Sequence, residues 1–378
     1  MGARKYKICG TPVTPDPDYV QRMEELCHSE KFMSDNGFRF RQFTEEELAR
    51  KRKCKRCMKS MHPRKPRNRR RGKSVGSTPE ETPKPETEET LPPEKKEPEY
   101  KCKFHPQKMQ GRFYACCGGT QFNNPCFSAL EHDAQDIPME ELLANWSLFE
   151  TKDNPRDPRK CVALDCEMGV SQDGDSELIR VTAIDYYTTE VLLDKLVFPI
   201  IPMAHLNTRY SGVSWPDLNT ARRNGTALIG RDAARNALLN FIDKSTIVVG
   251  HSVNHDLMAL RWIHHRVVDT LLLDLGEDKR IRDKKAQEKA AWDLLELQYA
   301  LGKISVLPPP PPPPQKEEGE KQGRSLKALS LDRLDRVIQT GEHDSLEDTL
   351  ASRDLLNWWV VNKTTAPVDD PDNYFISF

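Results

Sequence analysis

Asp165 and Glu167 close an apolar run one residue apart, in Val162-Ala-Leu-Asp-Cys-Glu-Met-Gly169. In a β-strand, side chains at i and i+2 leave the same face, so both carboxylates aim at one point. Facing acids repel and resist burial unless a cation lies between them. The pair therefore reads as part of a hard-metal site, against the plainer alternative of strand acids that reach solvent.

Two later segments favour the metal. Ile247-Val-Val-Gly-His-Ser-Val-Asn-His-Asp256 ends a β-branched run at Gly250 and brings Asp256 six residues later. His343-Asp-Ser-Leu-Glu-Asp348 enters an amphipathic helix carrying Leu350, Leu355, Leu356 and Trp359. Ser345 is the candidate N-cap there, with Asp348 in capping-box register, so Asp348 also has a helix-start reading. His343, five residues earlier, can swing an imidazole towards whatever Asp348 binds.

Acid-x-acid, a distant acid, then His-x4-Asp, in that order, resembles the DEDDh exonucleases, and the Rex-type RNA exonucleases in particular. The resemblance covers about residues 160 to 363. It extends to Asn207-Thr-Arg-Tyr-Ser-Gly212, Val268-Asp-Thr270 and Ile338-Gln339. It implies an α/β, ribonuclease H-like fold: a mixed five-stranded sheet flanked by helices. It also implies two Mg²⁺ or Mn²⁺ ions on Asp165, Glu167, Asp256 and Asp348, with His343 as general base, since an imidazole titrates near neutrality. A Tyr in place of His343 would mark the sister subclass.

An exonuclease must also grip a terminal nucleotide. Met168 and the Gly169 backbone are candidates for the last base and ribose, with a core role for Met168 equally open. Arg209 is the candidate for a phosphate or 2′-hydroxyl contact, because guanidinium suits such acceptors. His251, His255, His264 and His265 read as packing or helix-surface residues.

The 10 cysteines suit metal better than a disulfide ladder. Cys102-x-x-His105, Cys116-Cys117, Cys126 and His132 offer more ligands than one tetrahedral zinc needs. The preferred zinc set is Cys102, His105, Cys117 and His132, with Cys126 contending for the last place. Rex-type proteins with an N-terminal extension show a similar Cys-x-x-His-Pro…Cys-Cys module. Cys54 and Cys57 with Cys9 and Cys27 form a weaker second set, while Cys161 and Cys166 read as buried hydrophobes.

The elements that must position these groups are legible in outline. Strands are expected at 161–166, 178–187 and 191–197, a helix at 230–242, a strand at 246–249 and a helix from 255. A strand at 267–273 and two helices after 325 complete the domain. The chain divides into a Cys-containing basic region (1–62), a basic then Pro/Glu-rich disordered linker (63–100) and a zinc module (101–136). A connecting helix (137–159), the exonuclease domain (160–363) and a tail (364–378) follow. Residues 275–324 read as an insertion in that domain, and Pro308 to Pro314 must form polyproline II, a spacer or a ligand for a proline-binding protein.

The formal net charge of -1 hides a basic run over 50–73 that ends in Arg67-Asn-Arg-Arg-Arg71. Such a run suits nucleic acid or nuclear import. No stretch approaches a membrane span and no secretory signal is evident, so the expectation is a soluble nuclear protein, nucleolar or cytoplasmic as alternatives. The expected activity is 3′→5′ trimming of precursor RNA 3′ ends. A DNA-directed exonuclease and an RNA-binding adaptor on a dead nuclease fold are the competitors, the latter disfavoured because all four acids and His343 are present.

Overall fold

A computed structural model describes residues 10–59, 101–107, 109–120, 122–153, 157–309 and 323–362. The residues fall into two compact units, one running to Gln42 and again from Ser147, the other being Phe43–Trp146. The basic run beyond residue 59, the Pro/Glu linker, Pro310 to Pro314 and the C-terminal tail lie outside the described residues.

The first unit is built on β1 (Cys161–Ser171), β2 (Ser176–Asp185), β3 (Val191–Phe198), β4 (Ile247–Gly250) and β5 (Val267–Asp269). Their order across the sheet is β3-β2-β1-β4-β5. β1, β2 and β3 are antiparallel neighbours, and β4 and β5 run parallel to β1. This is the mixed sheet of five strands expected from sequence, widened by two short additions. Leu228–Ile229 joins β3, and Met203–His205 joins the far end of β1.

Alternation along β1 sorts the two faces. Val162, Leu164 and Cys166 enter a core with Ala234 and Leu238 of α2 (Gly230–Leu238). Cys161 and Ala163 enter another with Leu356 and Trp359 of the C-terminal helix Ser345–Asn362. Asp165 and Glu167 share the parity of Cys161 and Ala163, so they face that helix. The pairing with β2 shifts register between Glu167 and Met168, a bulge that re-aims the strand end.

Two boundaries differ from expectation. β5 ends at Asp269, and a helix runs on continuously as Thr270–Ala300. The Asp269 carboxylate explains the stop: it accepts from Leu271 N, and also from Ser252 N at 2.9 Å and Val253 N at 3.0 Å. One side chain thus caps the new helix and pins the turn after β4.

The N-terminal residues also pack differently from the division drawn on composition. Tyr19 and Met23 of α1 (Pro17–Glu25), with Leu26 just beyond it, share a buried cluster with Tyr186 and Trp359. Tyr19 Oη lies 2.7 Å from Tyr186 Oη and donates to Asn357. Two apolar residues on one helix face, with Leu26 after it, outweigh the polar average of the segment, so residues 10–42 belong to the nuclease-like unit.

The second unit has little regular structure. A helix, Glu45–Ala49, opens with a Thr44/Glu47 capping box, and another spans Met139–Trp146. Between them, Cys102–Phe104 pairs with Phe127–Ala129, Met109–Gln110 pairs with Phe113–Tyr114, and Cys54 bridges Ala134. Among the described residues, no helix is long and apolar enough to cross a membrane.

Candidate functional site

Three elements bring the four acids together. β1 carries Asp165 and Glu167; α3 (Asn254–Ala259) carries Asp256; α4 (Ser345–Asn362) carries Asp348. Asp256 is tied to β1 itself, its Oδ1 accepting from Cys166 N at 2.8 Å. The C-terminal helix is tied to the same strand from the other side, Ser345 Oγ donating to Asp165 O at 3.1 Å. Ser345 therefore does not cap the helix as the sequence suggested. Asp344 takes that place, its carboxylate accepting from Leu346 N at 3.0 Å, which frees the serine hydroxyl to fasten the helix to the strand.

Glu167, His343 and Asp348 can place one ligand atom each within 4.8 Å of one another. His343 Nδ1 stands 3.5 Å from Asp348 Oδ2. Asp165 and Asp256 fall outside that tight group yet act on it electrostatically. Burial, then the charges of Asp256, Asp348 and Glu167, hold Asp165 well above the usual carboxylate range. Burial pushes Glu167 and Asp256 up to about 8, with Arg180 opposing the rise at Glu167 and the bond from Cys166 N opposing it at Asp256. Burial raises Asp348 to about 7 against its bond from Gln339. Burial and the Lys327 cation lower His343, leaving its imidazole neutral at neutral pH.

The chemistry of this donor set fits divalent cations. Four acids from three elements, three of them buried and Asp165 half-buried, crowd one another, and Asp348 Oδ1 is buried with no hydrogen-bond partner among the described residues. Carboxylate oxygens in that number suit Mg²⁺ or Mn²⁺ and would be neutralised by them.

The nucleotide-grip candidates are placed less simply. Gly169 is hemmed in: a Cβ there would meet Met203 Cε at 2.7 Å and His205 O at 3.0 Å. Its smallness therefore serves the added strand Met203–His205. Met168 is half-buried against the core beside α2, and its carbonyl accepts from Asn207 Nδ2 at 3.2 Å. Arg209 is exposed on the turn Thr208–Ser211, beside exposed Tyr210. That turn touches the histidine segment, since His343 N donates to Tyr210 O at 2.7 Å.

Sequence reasoning passed over two supporting residues. Gln339, left-handed at φ 52°, donates from Nε2 to Asp348 Oδ2 at 2.9 Å, and its backbone N–H reaches Glu347. Its place in the Ile338-Gln wording was the available signal. Arg180 lies opposite Glu167 on β2, a relationship only strand register reveals.

The cysteine and histidine ligands separate in an unexpected way. Cys102, His105, Cys117 and His132 do not converge as one set. Cys102 and His132 lie with Cys54 and Cys57, whereas His105 and Cys117 lie with Cys116 and Cys126. Cys27 lies against the core of the other unit. Cys9 lies outside the described residues. The reason is the antiparallel pairing of Cys102–Phe104 with Phe127–Ala129. Cys102 stands in that strand and His105 just past its end, where the chain has left the pleat.

No protein-family model matches the chain. It is similar to an "RNA exonuclease 3" of Candida albicans, 29% identical over 264 residues, covering 68% of this chain and 54% of that protein. An "RNA exonuclease 3" of Yarrowia lipolytica is 35% identical over 198 residues, covering 52% of this chain and 20% of the other. Among solved structures, the Pan2 catalytic unit of Neurospora crassa (protease and nuclease domain) aligns with a TM-score of 0.36 and 16% identity, over 56% of this chain and 29% of that one. The chain spans about half the length of the first of these relatives. With the four acids and His343 in their order on a mixed sheet, the chain is similar in sequence to these RNA exonucleases, over about half of the length of the first.

Proposed function

We propose that the chain is a 3′→5′ exoribonuclease that trims the 3′ ends of precursor RNAs. The observation that carries the reading is the convergence of Asp165, Glu167, Asp256 and Asp348 from three elements beside His343. Divalent Mg²⁺ or Mn²⁺ held by those acids would supply Lewis acidity and charge neutralisation at the scissile phosphate.

The chain's own groups do the rest. His343, neutral at neutral pH, accepts the proton of the attacking water on an imidazole nitrogen. Asp348 beside Nδ1 steadies the ring and favours the imidazolium that forms. Arg209, exposed on the turn bonded to the histidine segment, contacts phosphate or a 2′-hydroxyl. RNA is favoured over DNA because the sequence relatives are named RNA exonucleases. The Cys/His unit binds structural zinc, and the run Arg67 to Arg71 serves nuclear import or RNA recruitment.

End-labelled RNA and DNA of matched sequence test the reading, with the purified protein in Mg²⁺ or Mn²⁺. A 5′ label should give a ladder shortening one nucleotide at a time, and a 3′ label should appear at once as mononucleotide. Faster DNA degradation would reverse the substrate choice, and an intact 3′ label would end the 3′→5′ reading.

A further inference from the structure

We infer that residues Phe43–Trp146 bind two zinc ions in separate Cys3His cages, an outer one of Cys54, Cys57, Cys102 and His132 and an inner one of His105, Cys116, Cys117 and Cys126. This rests on the structural-zinc reading above and deepens it by fixing number, ligands and nesting.

Within each set, one ligand atom per residue lies within 4.8 Å of the others. The separations suit a shared ion. Cys54 Sγ is 3.7 Å from Cys102 Sγ, and Cys126 Sγ is 3.5 Å from Cys116 Sγ. A disulfide would need about 2.05 Å. Ligands placed tetrahedrally at Zn–S distances of about 2.3 Å are about 3.8 Å apart, which is the spacing seen. The histidines take the same range: His132 Nδ1 is 3.3 Å from Cys57 Sγ, and His105 Nδ1 is 3.4 Å from Cys117 Sγ and 3.7 Å from Cys116 Sγ. Three thiolates and an imidazole select zinc over the hard cations of the nuclease unit.

The surroundings act as an outer shell. Asp133 N donates to Cys54 Sγ and Gly119 N to Cys117 Sγ, each at 3.4 Å, as backbone amides do towards thiolates. The His105 ring stacks on Tyr114 at 3.8 Å and 6° between planes, which holds its Nδ1 towards the sulfurs. Around the ligands the described apolar cluster is small, Cys54, Cys102 and Phe104, with Cys57 and Ala129 against it. So small a core needs a staple, and bound metal supplies folding energy directly. All inner ligands fall between Cys102 and His132 in sequence, so the outer ion joins the 54–57 segment to the 102–132 segment around the inner site.

The test uses the full-length protein, purified without chelators. Elemental analysis should give two zinc per chain. Zinc release by a thiol-reactive mercurial should run in two phases, with alkylation mapped by mass spectrometry. Cys116, Cys117 and Cys126 should become reactive with one zinc, and Cys54, Cys57 and Cys102 with the other. Cys57→Ser and Cys116→Ser should each retain one zinc. One zinc per chain, with Cys102 and Cys117 unmasked together, would overturn the two-cage partition and leave the structural-zinc reading intact. No zinc at all, or disulfides among these cysteines, would remove both.

Discussion

The Arg180 guanidinium lies 3.3 Å from the carboxylate of Asp344, the residue next to His343. The same guanidinium grips Asp194 of β3 with two bonds, 2.9 and 3.0 Å long, and sits opposite Glu167 on β1. A strand-borne arginine thus anchors the start of the Asp348 helix while offsetting the charge of Glu167. Arg180→Ala should lower kcat by roughly 10- to 100-fold, the usual cost of losing a supporting contact around a metal site. Arg180→Lys should recover little, because lysine cannot bridge two carboxylates with a planar fork. Activity against Mg²⁺ concentration is the measurement; an unchanged kcat in Arg180→Ala would limit this residue to sheet packing.

Crowded acids make metal-free stability depend on pH in an unusual direction. Glu167 and Asp256 sit at about 8 and Asp348 at about 7, above the carboxylate range of an unfolded chain. The folded protein then holds protons that the unfolded chain has released, so stability falls as pH climbs from about 4 to about 8 and levels off above. Saturating Mg²⁺ should flatten that fall, so its gain in Tm should be larger at pH 8 than at pH 6. Asp165→Asn should raise Tm in chelator by a few degrees, on the order of 1 kcal/mol, while reducing turnover by more than about 100-fold. Scanning calorimetry at the two pH values, with and without Mg²⁺, reads both effects.

His343 should appear in the rate profile. Burial and Lys327 lower its pKa, so kcat should rise with pH through a value below the ordinary imidazole one and then plateau. His343→Ala should lose that limb together with the rate, by about 10²- to 10⁴-fold. A mutant as slow as this but with the ascending limb intact would assign the limb to another group.

Residues 10–42 should prove part of the nuclease unit. Truncation at residue 43 strips Tyr19, Met23 and Leu26 from the cluster containing Trp359, on the helix that carries Asp348. Burying such side chains contributes about 1.5–3 kcal/mol each, so the truncated protein should melt well below full length and lose activity on short oligonucleotides too. Met23→Ala alone should cost about 2–5 kcal/mol. Thermal denaturation of the two proteins, monitored in Mg²⁺, checks this.

What the sequence determined by itself is what short-range periodicity and residue chemistry can encode. The i, i+2 spacing put Asp165 and Glu167 on one face of a strand, an apolar run marked β1 and a β-branched one β4. The order of acids and His343 named the chemistry. Tertiary structure decided what depends on partners far along the chain. Ser345 looks like a cap until the fold places Asp165 O within reach of its hydroxyl and Asp344 takes the capping role. Arg180 is unremarkable until strand register sets it across from Glu167. The cysteines and histidines could not be grouped by spacing, because the fold gathers Cys102 and His132 with Cys54 and Cys57 and His105 with Cys116, Cys117 and Cys126. Tyr19 and Met23 sit in a segment polar on average, and only the exposed flank of a distant helix gives their apolar face somewhere to go. Local propensity needs only neighbours in sequence, whereas ligation, capping and burial are settled by whichever groups the finished fold leaves within a few ångströms.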